Sequence, residues 1–191
     1  MNVSKCLIIF FFLLCSGCVS FSNLDPNFKY EKLHNESIIV LGISPRARVQ
    51  VFDGENEGDK WSRNPIATTL NIFPEGGYVV AKVSSRSAGK NYGIGGILPD
   101  GIGGELFIPC KGQKTMVFDA LKGKVTYVGS VEYYKSEDKL GYKLSFDFEK
   151  AEAYMNRKYP NLASVLIGIE PEIRELNNAT CSTAIEVPIF K

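Results

Sequence analysis

Residues 123–148, GKVTYVGSVEYYKSEDKLGYKLSFDF, decide the fold class. Across 123–135, Val125, Tyr127, Gly129, Val131 and Tyr133 fall on one face, and Thr126, Val128, Ser130, Glu132 and Tyr134 on the other. A period of two in β-branched and aromatic residues is the signature of a strand. Residues 138–141 read as a turn, after which Tyr142, Leu144, Phe146 and Phe148 share one face. The stretch predicts a β-hairpin.

Toward the C-terminus, Asp147 is placed to cap a helix, because its carboxylate can accept from orphan backbone N–H groups. Phe148, Ala151, Met155 and Tyr159 recur at three- and four-residue intervals and form one apolar stripe. Arg157 and Lys158 suit the negative end of the helix, and Pro160 stops it. A helix near 148–159 is expected, followed by closing strands at 165–169 and 184–190. Toward the N-terminus, strands are expected at 115–118, 105–108, 78–83, 68–73, 47–52 and 38–41. Residues 53–66 read as a long polar loop closed by Pro65, 74–77 as a tight turn, and the Ser- and Gly-rich 84–104 as a loop. Short strands with one late helix predict a mainly β domain over 37–191, an antiparallel β-sandwich. A parallel α/β fold is disfavoured, because helices do not alternate with strands.

The N-terminus carries a different signal. Lys5 is followed by an unbroken apolar run over 6–15 and then by Ser16, Gly17 and Cys18. A charged start, an apolar core and small residues are the order of a secretory signal. The run falls short of the roughly 20 residues needed to cross a bilayer. Residues 14–18, LCSGC, resemble the lipobox of bacterial lipoproteins, with Cys15 standing where that family usually has Leu. The resemblance implies cleavage after residue 17, lipidation of Cys18, and a lipid-anchored place in the cell envelope. Val19, rather than Asp, after the cysteine implies the outer membrane if the host has two. An ordinary signal peptide cut after Ser20 or Ser22 is the alternative. Residues 18–36 then form a polar tether.

The organisation is also similar to small uncharacterised bacterial lipoproteins with an immunoglobulin- or transthyretin-like sandwich. The residues that carry this likeness are Gly77-Tyr78 and Tyr127-Val128-Gly129. It implies a domain without a known activity.

Cysteine usage fits export. Cys6 and Cys15 leave with the signal and Cys18 takes the lipid, so Cys110 and Cys181 remain as an even pair in an oxidising compartment. A bridge between them would close a loop of about 70 residues, worth roughly 4 kcal/mol in the chain-entropy model. Two buried free thiols are the other reading. Charge argues against a nucleic-acid surface: without Lys5, the 22 basic residues become 21, equal to the 21 acidic ones.

Candidate chemistry is sparse. Residues 53–59, DGENEGD, place oxygen ligands and a Gly as a calcium loop would, but the twelfth position is Asn64 rather than a bidentate Glu. The Gly-rich 92–97 and 101–104 lack the Lys-Ser/Thr pair and the following helix of a phosphate loop. His34 is the sole histidine and lies in the tether, away from any nucleophile motif. Asn35 and Asn178 head Asn-x-Ser/Thr patterns that matter only in a eukaryotic chain. Trp61 either anchors its loop or, with a surface Tyr134, offers an aromatic face to a ligand.

The expectation is a non-catalytic envelope lipoprotein whose sandwich binds an envelope protein or glycan, without metal or cofactor. A carbohydrate-binding module using Trp61 and Tyr134 is the second reading, and a small secreted hydrolase the third.

Overall fold

The computed structural model describes residues 22–30, 36–84, 90–100, 106–136, 139–178 and 185–186. Strands β1 (Glu36–Ser44), β2 (Ala47–Glu57), β3 (Lys60–Ile72), β4 (Tyr78–Ser84), β5 (Lys90–Pro99) and β6 (Lys114–Phe118) precede the hairpin β7 (Val125–Ser136) and β8 (Lys139–Ser145). Helices α1 (Phe148–Lys158) and α2 (Pro160–Ala163) follow, then β9 (Leu166–Gly168), β10 (Glu172–Asn178) and β11 (Ile185–Glu186). One sheet has the order β11-β8-β7-β1-β4, with β9 also on β7; the second closes into a barrel, β10-β3-β2-β5-β6. The fold is mainly β with two sheets and a late helix, as the sequence predicts. It is not purely antiparallel: β1 with β7, β7 with β9, β8 with β11 and β3 with β10 run parallel. Among the described residues no helix is long and apolar enough to cross a membrane.

The open sheet is buried on both faces, which explains the continuous apolar run 38–41 in its central strand β1. Ile39 and Leu41 join Val79, Ala81 and the barrel residues Val49, Val51, Leu70, Ile94 and Met116 in one core. Ile38 and Val40 turn the other way and meet Val80, Tyr127, and Ala151, Met155 and Tyr159 of the helical layer. Asp147 caps α1 as expected, its Oδ1 accepting from Lys150 N at 3.0 Å.

The hairpin forms, with Tyr133 opposite Tyr142, but 139–141, read as part of the turn, already belong to β8, which ends at Ser145, so Phe146 and Phe148 lie beyond the strand. Its face assignment needs correction at Gly129. Gly129 has φ +103°, and the β1–β7 register slips there, from Val40 opposite Tyr127 to Gly42 opposite Ser130. This is a bulge that only glycine fills without strain. Tyr127 therefore faces the helix, whereas Val128, Val131 and Tyr133 all face the barrel. The same bulge lets β7 change partners, from β9 at Val125–Tyr127 to β8 at Ser130–Ser136.

Two segments read as loops are strands. Residues 53–57 continue β2, the chain turns at Gly58 (φ +66°), and β3 begins at Lys60, so no loop spans 53–66. Residues 90–99, read as part of a Gly-rich loop, are β5. The glycines make room for neighbours' side chains. A Cβ on Gly93 would lie 2.6 Å from the Trp61 ring, and one on Gly95 2.2 Å from the Phe52 ring. Trp61 packs with Phe52, Val117 and Leu176, drawn from four barrel strands, and the fifth strand meets the cluster through Gly93. By contrast, 105–108 is not a strand among its described residues; Phe107 makes only an isolated bridge to Ile97.

The expected tether is also partly structured. Residues 22–30 lie on the sheet, where Leu24, Phe28 and Tyr30 pack against the helical-side core. The strap covers β4, the edge strand. Asn23 Nδ2 donates to Phe73 O and its Oδ1 accepts from Val80 N, both at 2.8 Å. Leu24 N donates to Val80 O at 2.8 Å. An exposed edge is a template for aggregation, and the strap closes this one. Residues 1–21, including the expected signal and Cys18, lie outside the described residues, as do 31–35 with His34 and Asn35.

Two substitutions test these constraints. Gly129→Val combines positive φ with a Pro171 contact already at 3.2 Å for a bare Cβ. It should cost about 2–3 kcal/mol, read as a lower urea midpoint with an unchanged slope. Gly93→Ala should destabilise the barrel by at least about 2 kcal/mol through overpacking. It should also shift the emission of Trp61, the single tryptophan. Gly112→Ala is the control: φ is +84° but nothing lies within 4 Å. It should cost only about 1–2 kcal/mol and leave the emission unchanged.

Candidate functional site

Four separated segments converge at one end of the open sheet. β1 ends at Ser44, followed by a cis Ser44–Pro45 bond and Arg46. The 74–77 turn brings Gly76 and Gly77, both at positive φ, to the start of β4. Ser130 and Glu132 come from β7, Ser145 from the end of β8, and Asp147 and Lys150 from the start of α1. Together they line an open cleft of about 640 Å³. Close backbone approach shapes its floor: a Cβ on Gly42 would lie 2.0 Å from Ser130 Oγ.

The lining is polar and charge-balanced, with Arg46 and Lys150 against Glu132 and Asp147. Several of these groups are already committed. Asp147 Oδ1 caps the helix. Asp147 N donates to Tyr127 OH at 3.3 Å, and that hydroxyl lies 2.9 Å from Ser130 Oγ. Arg46 pairs with Asp100 and rests its guanidinium over Phe73 at 4.6 Å. The lining thus offers short hydroxyls, backbone at glycines and both charge signs, suited to hydrogen bonding a polar partner. Among the described residues its lining includes no histidine and no cysteine.

A second, smaller hollow of about 230 Å³ lies on the β2–β3 hairpin and includes Asp53, Glu55, Glu57 and Arg63. It contains most of the stretch tested as a calcium loop. Asp53, Glu55 and Glu57 alternate along β2 and so share one face of the strand, rather than wrapping around an ion as a calcium loop does. Among the described residues no group of three or more His, Cys, Asp or Glu could hold a metal. Burial of Arg63 pushes its guanidinium below its ordinary value.

The structure does not bring the two aromatic candidates together. Trp61 is fully buried, and its Nε1 donates to Asn91 Oδ1 at 2.8 Å. As a ligand platform Trp61 is corrected: it is the anchor, enclosed by Gly54 and Gly93. Tyr134 is 37% exposed on the other sheet. It lies flat over Gly141, where a Cβ would meet its ring at 2.4 Å, with Lys143 Nζ 5.8 Å from its centroid. It does not line the cleft. An open aromatic strip built on Trp61 and Tyr134 is therefore absent.

Cys110 is disulfide-bonded. Cys181 lies outside the described residues. Gly112 N donates to Leu176 O at 2.8 Å, which holds the segment after Cys110 against β10. Asn178 uses its side-chain amide as a ladder rung, accepting from Arg63 N at 2.9 Å and donating to Arg63 O at 3.0 Å. Its amide nitrogen is thus engaged within the fold. Residues 101–104 of the second Gly-rich stretch lie outside the described residues.

Beside the cleft, Tyr78 stacks on Tyr154 with centroids 4.4 Å apart. Burial, then the nearby Tyr127, Asp147 and Tyr154, push Tyr78 up to about 12. Burial and Glu75 push Tyr159 up to about 12 as well. A raised folded-state pKa favours the neutral phenol, so this stabilisation is full below an unfolded value of about 10 and is lost above it. Stability should therefore fall as pH rises from about 10 to about 12. The tyrosinate absorbance of the buried phenols and the circular dichroism, followed together, should change over the same pH range. Early titration of all tyrosines without loss of structure would contradict this packing.

Set beside protein-family models, curated proteins and solved structures, the chain matches none of them.

Proposed function

We propose that this chain is a non-catalytic, lipid-anchored protein of the cell envelope whose β domain binds another envelope component through the 640 Å³ cleft. The observation that carries the reading is the described lining itself: serines, glycines and balanced charge. Such a surface suits recognition of shape and hydrogen-bonding groups. The lipobox-like 14–18 supports the anchor, with Cys18 as the lipidated residue. An outer-membrane location, and the immunoglobulin- or transthyretin-like likeness, belong to the same reading. The disulfide at Cys110, with Cys181 as its partner, fits export to an oxidising compartment. Burial of Trp61 removes the main support for a carbohydrate-binding strip.

A photo-crosslinking residue at Glu132, in the cleft, should give a discrete adduct in the native envelope, and one at Asp59, on the hairpin turn, should not. Lys150→Glu, which reverses a cleft charge, should weaken the Glu132 adduct several-fold. Equal adducts from both sites, or none from the cleft, would remove the cleft from the proposal. Intact mass of the mature protein beside Cys18→Ala tests the anchor; a plain N-terminus at Ser20 or beyond would overturn it.

A further inference from the structure

We propose that the strap over 22–30 turns the lipid anchor into an orienting device, which holds the Phe73 end of the domain against the headgroup surface of its own membrane. This rests on lipidation at Cys18, as proposed above.

Chain length sets the first limit. Residue 22 follows Cys18 by four positions. Four residues span at most about 14 Å when fully extended. A tether of 18 residues, as a disordered 19–36 would make, could reach several times further. The strap removes that slack. Asn23 grips Phe73 O and Val80 N, and Leu24 is held at both backbone groups, by Val80 O and by the Tyr159 hydroxyl at 3.0 Å. The attachment point is therefore fixed at the corner where β3 ends and β4 begins.

Strand length sets the second. β3 runs 13 residues, from Lys60 beside the Gly58 turn to Ile72 beside Phe73. β3 bulges between Arg63 and Thr68, and its two ends pair with β2 residues eight positions apart, Val49 and Glu57, so at about 3.3 Å per residue they lie roughly 26 Å apart. The anchor thus leaves from one end of the barrel's longest strand, and the hairpin turn lies at the other. The membrane-near end carries a fitting chemistry. Arg46 and Arg48 both lie 4.6 Å from the Phe73 centroid. Arg46 is 60% exposed although Asp100 shares its charge. Two guanidiniums beside an aromatic ring suit the phosphates of a lipid surface. Pro74, Gly76 and Gly77 of the cleft adjoin the same corner.

The test uses the lipidated full-length mature chain in phospholipid vesicles. Glu75→Cys reports the strap corner, where the glutamate side chain is 55% exposed. Asp59→Cys reports the far turn. Each is modified with a bulky, membrane-impermeant maleimide, and each rate is divided by that of the same variant carrying Cys18→Ala. Position 75 should be protected several-fold and position 59 little. Inserting a Gly/Ser linker of about 20 residues between Ser20 and Phe21, a coil of roughly 25 Å, should abolish the difference. A lipidated chain with equal normalised rates at both positions overturns the orientation and leaves the lipoprotein reading intact. A chain without acyl mass, or one that fails to sediment with the vesicles, overturns both.

Discussion

The indole of Trp61 is the contact on which the barrel depends. It is fully buried, and two neighbouring strands lack a side chain where it lies: Gly54 on β2 and Gly93 on β5. Any Cβ at either position would sit within 2.6 Å of the ring. Glycine in a strand costs about 0.5–1 kcal/mol relative to alanine. Burying a large apolar side chain returns about 1.5–3 kcal/mol. The exchange favours a glycine-rich strand only where an aromatic occupies the vacated space, and β5 meets that condition twice, under Trp61 and under Phe52. The indole N–H is satisfied by Asn91 on β5 as well, so one residue joins β3 to β5 across β2 by packing and by a hydrogen bond.

That exchange explains why part of the fold was legible in the sequence and part was not. The run 38–41 and the alternation in 125–134 are local patterns, and both mark strands of the open sheet. Asp147, the apolar stripe and Pro160 likewise delimit α1. The composition of β5 is that of a loop, and its strand character depends on Trp61 and Phe52, which are distant in sequence. β10 is hidden for another reason. Of its residues only Leu176 is buried, and it forms by closing the barrel between β3 and β6. Gly129 looked like one more step of an alternation because a bulge changes register without changing composition.

The site was legible in still smaller part. Arg46, Gly76, Ser130 and the pair Ser145 and Lys150 belong to four segments with no motif in common, and topology alone collects them. Trp61 and Tyr134 stood out as large aromatics, yet a large aromatic in a small β domain is first a means of filling space. Tyr134 shows the same rule at the surface: its ring covers Gly141 as Trp61 covers Gly93. Aromatic over glycine is thus a recurrent packing device of this chain rather than a mark of ligand binding.

The strap links the architecture to the proposed place of action. A sheet that ends in β4 needs its edge covered, and the segment that does so is the one that leads back to Cys18. Edge protection and anchoring are therefore one contact. If Cys18 carries the lipid, undocking the strap would lengthen the tether and expose the β4 edge together. Orientation at the membrane would then be maintained by folding stability itself, because the domain cannot gain reach without losing Asn23 and Leu24 from its edge. The cleft adjoins the same corner through Pro74 and Gly76, so a partner that fills it would meet the domain close to the lipid surface.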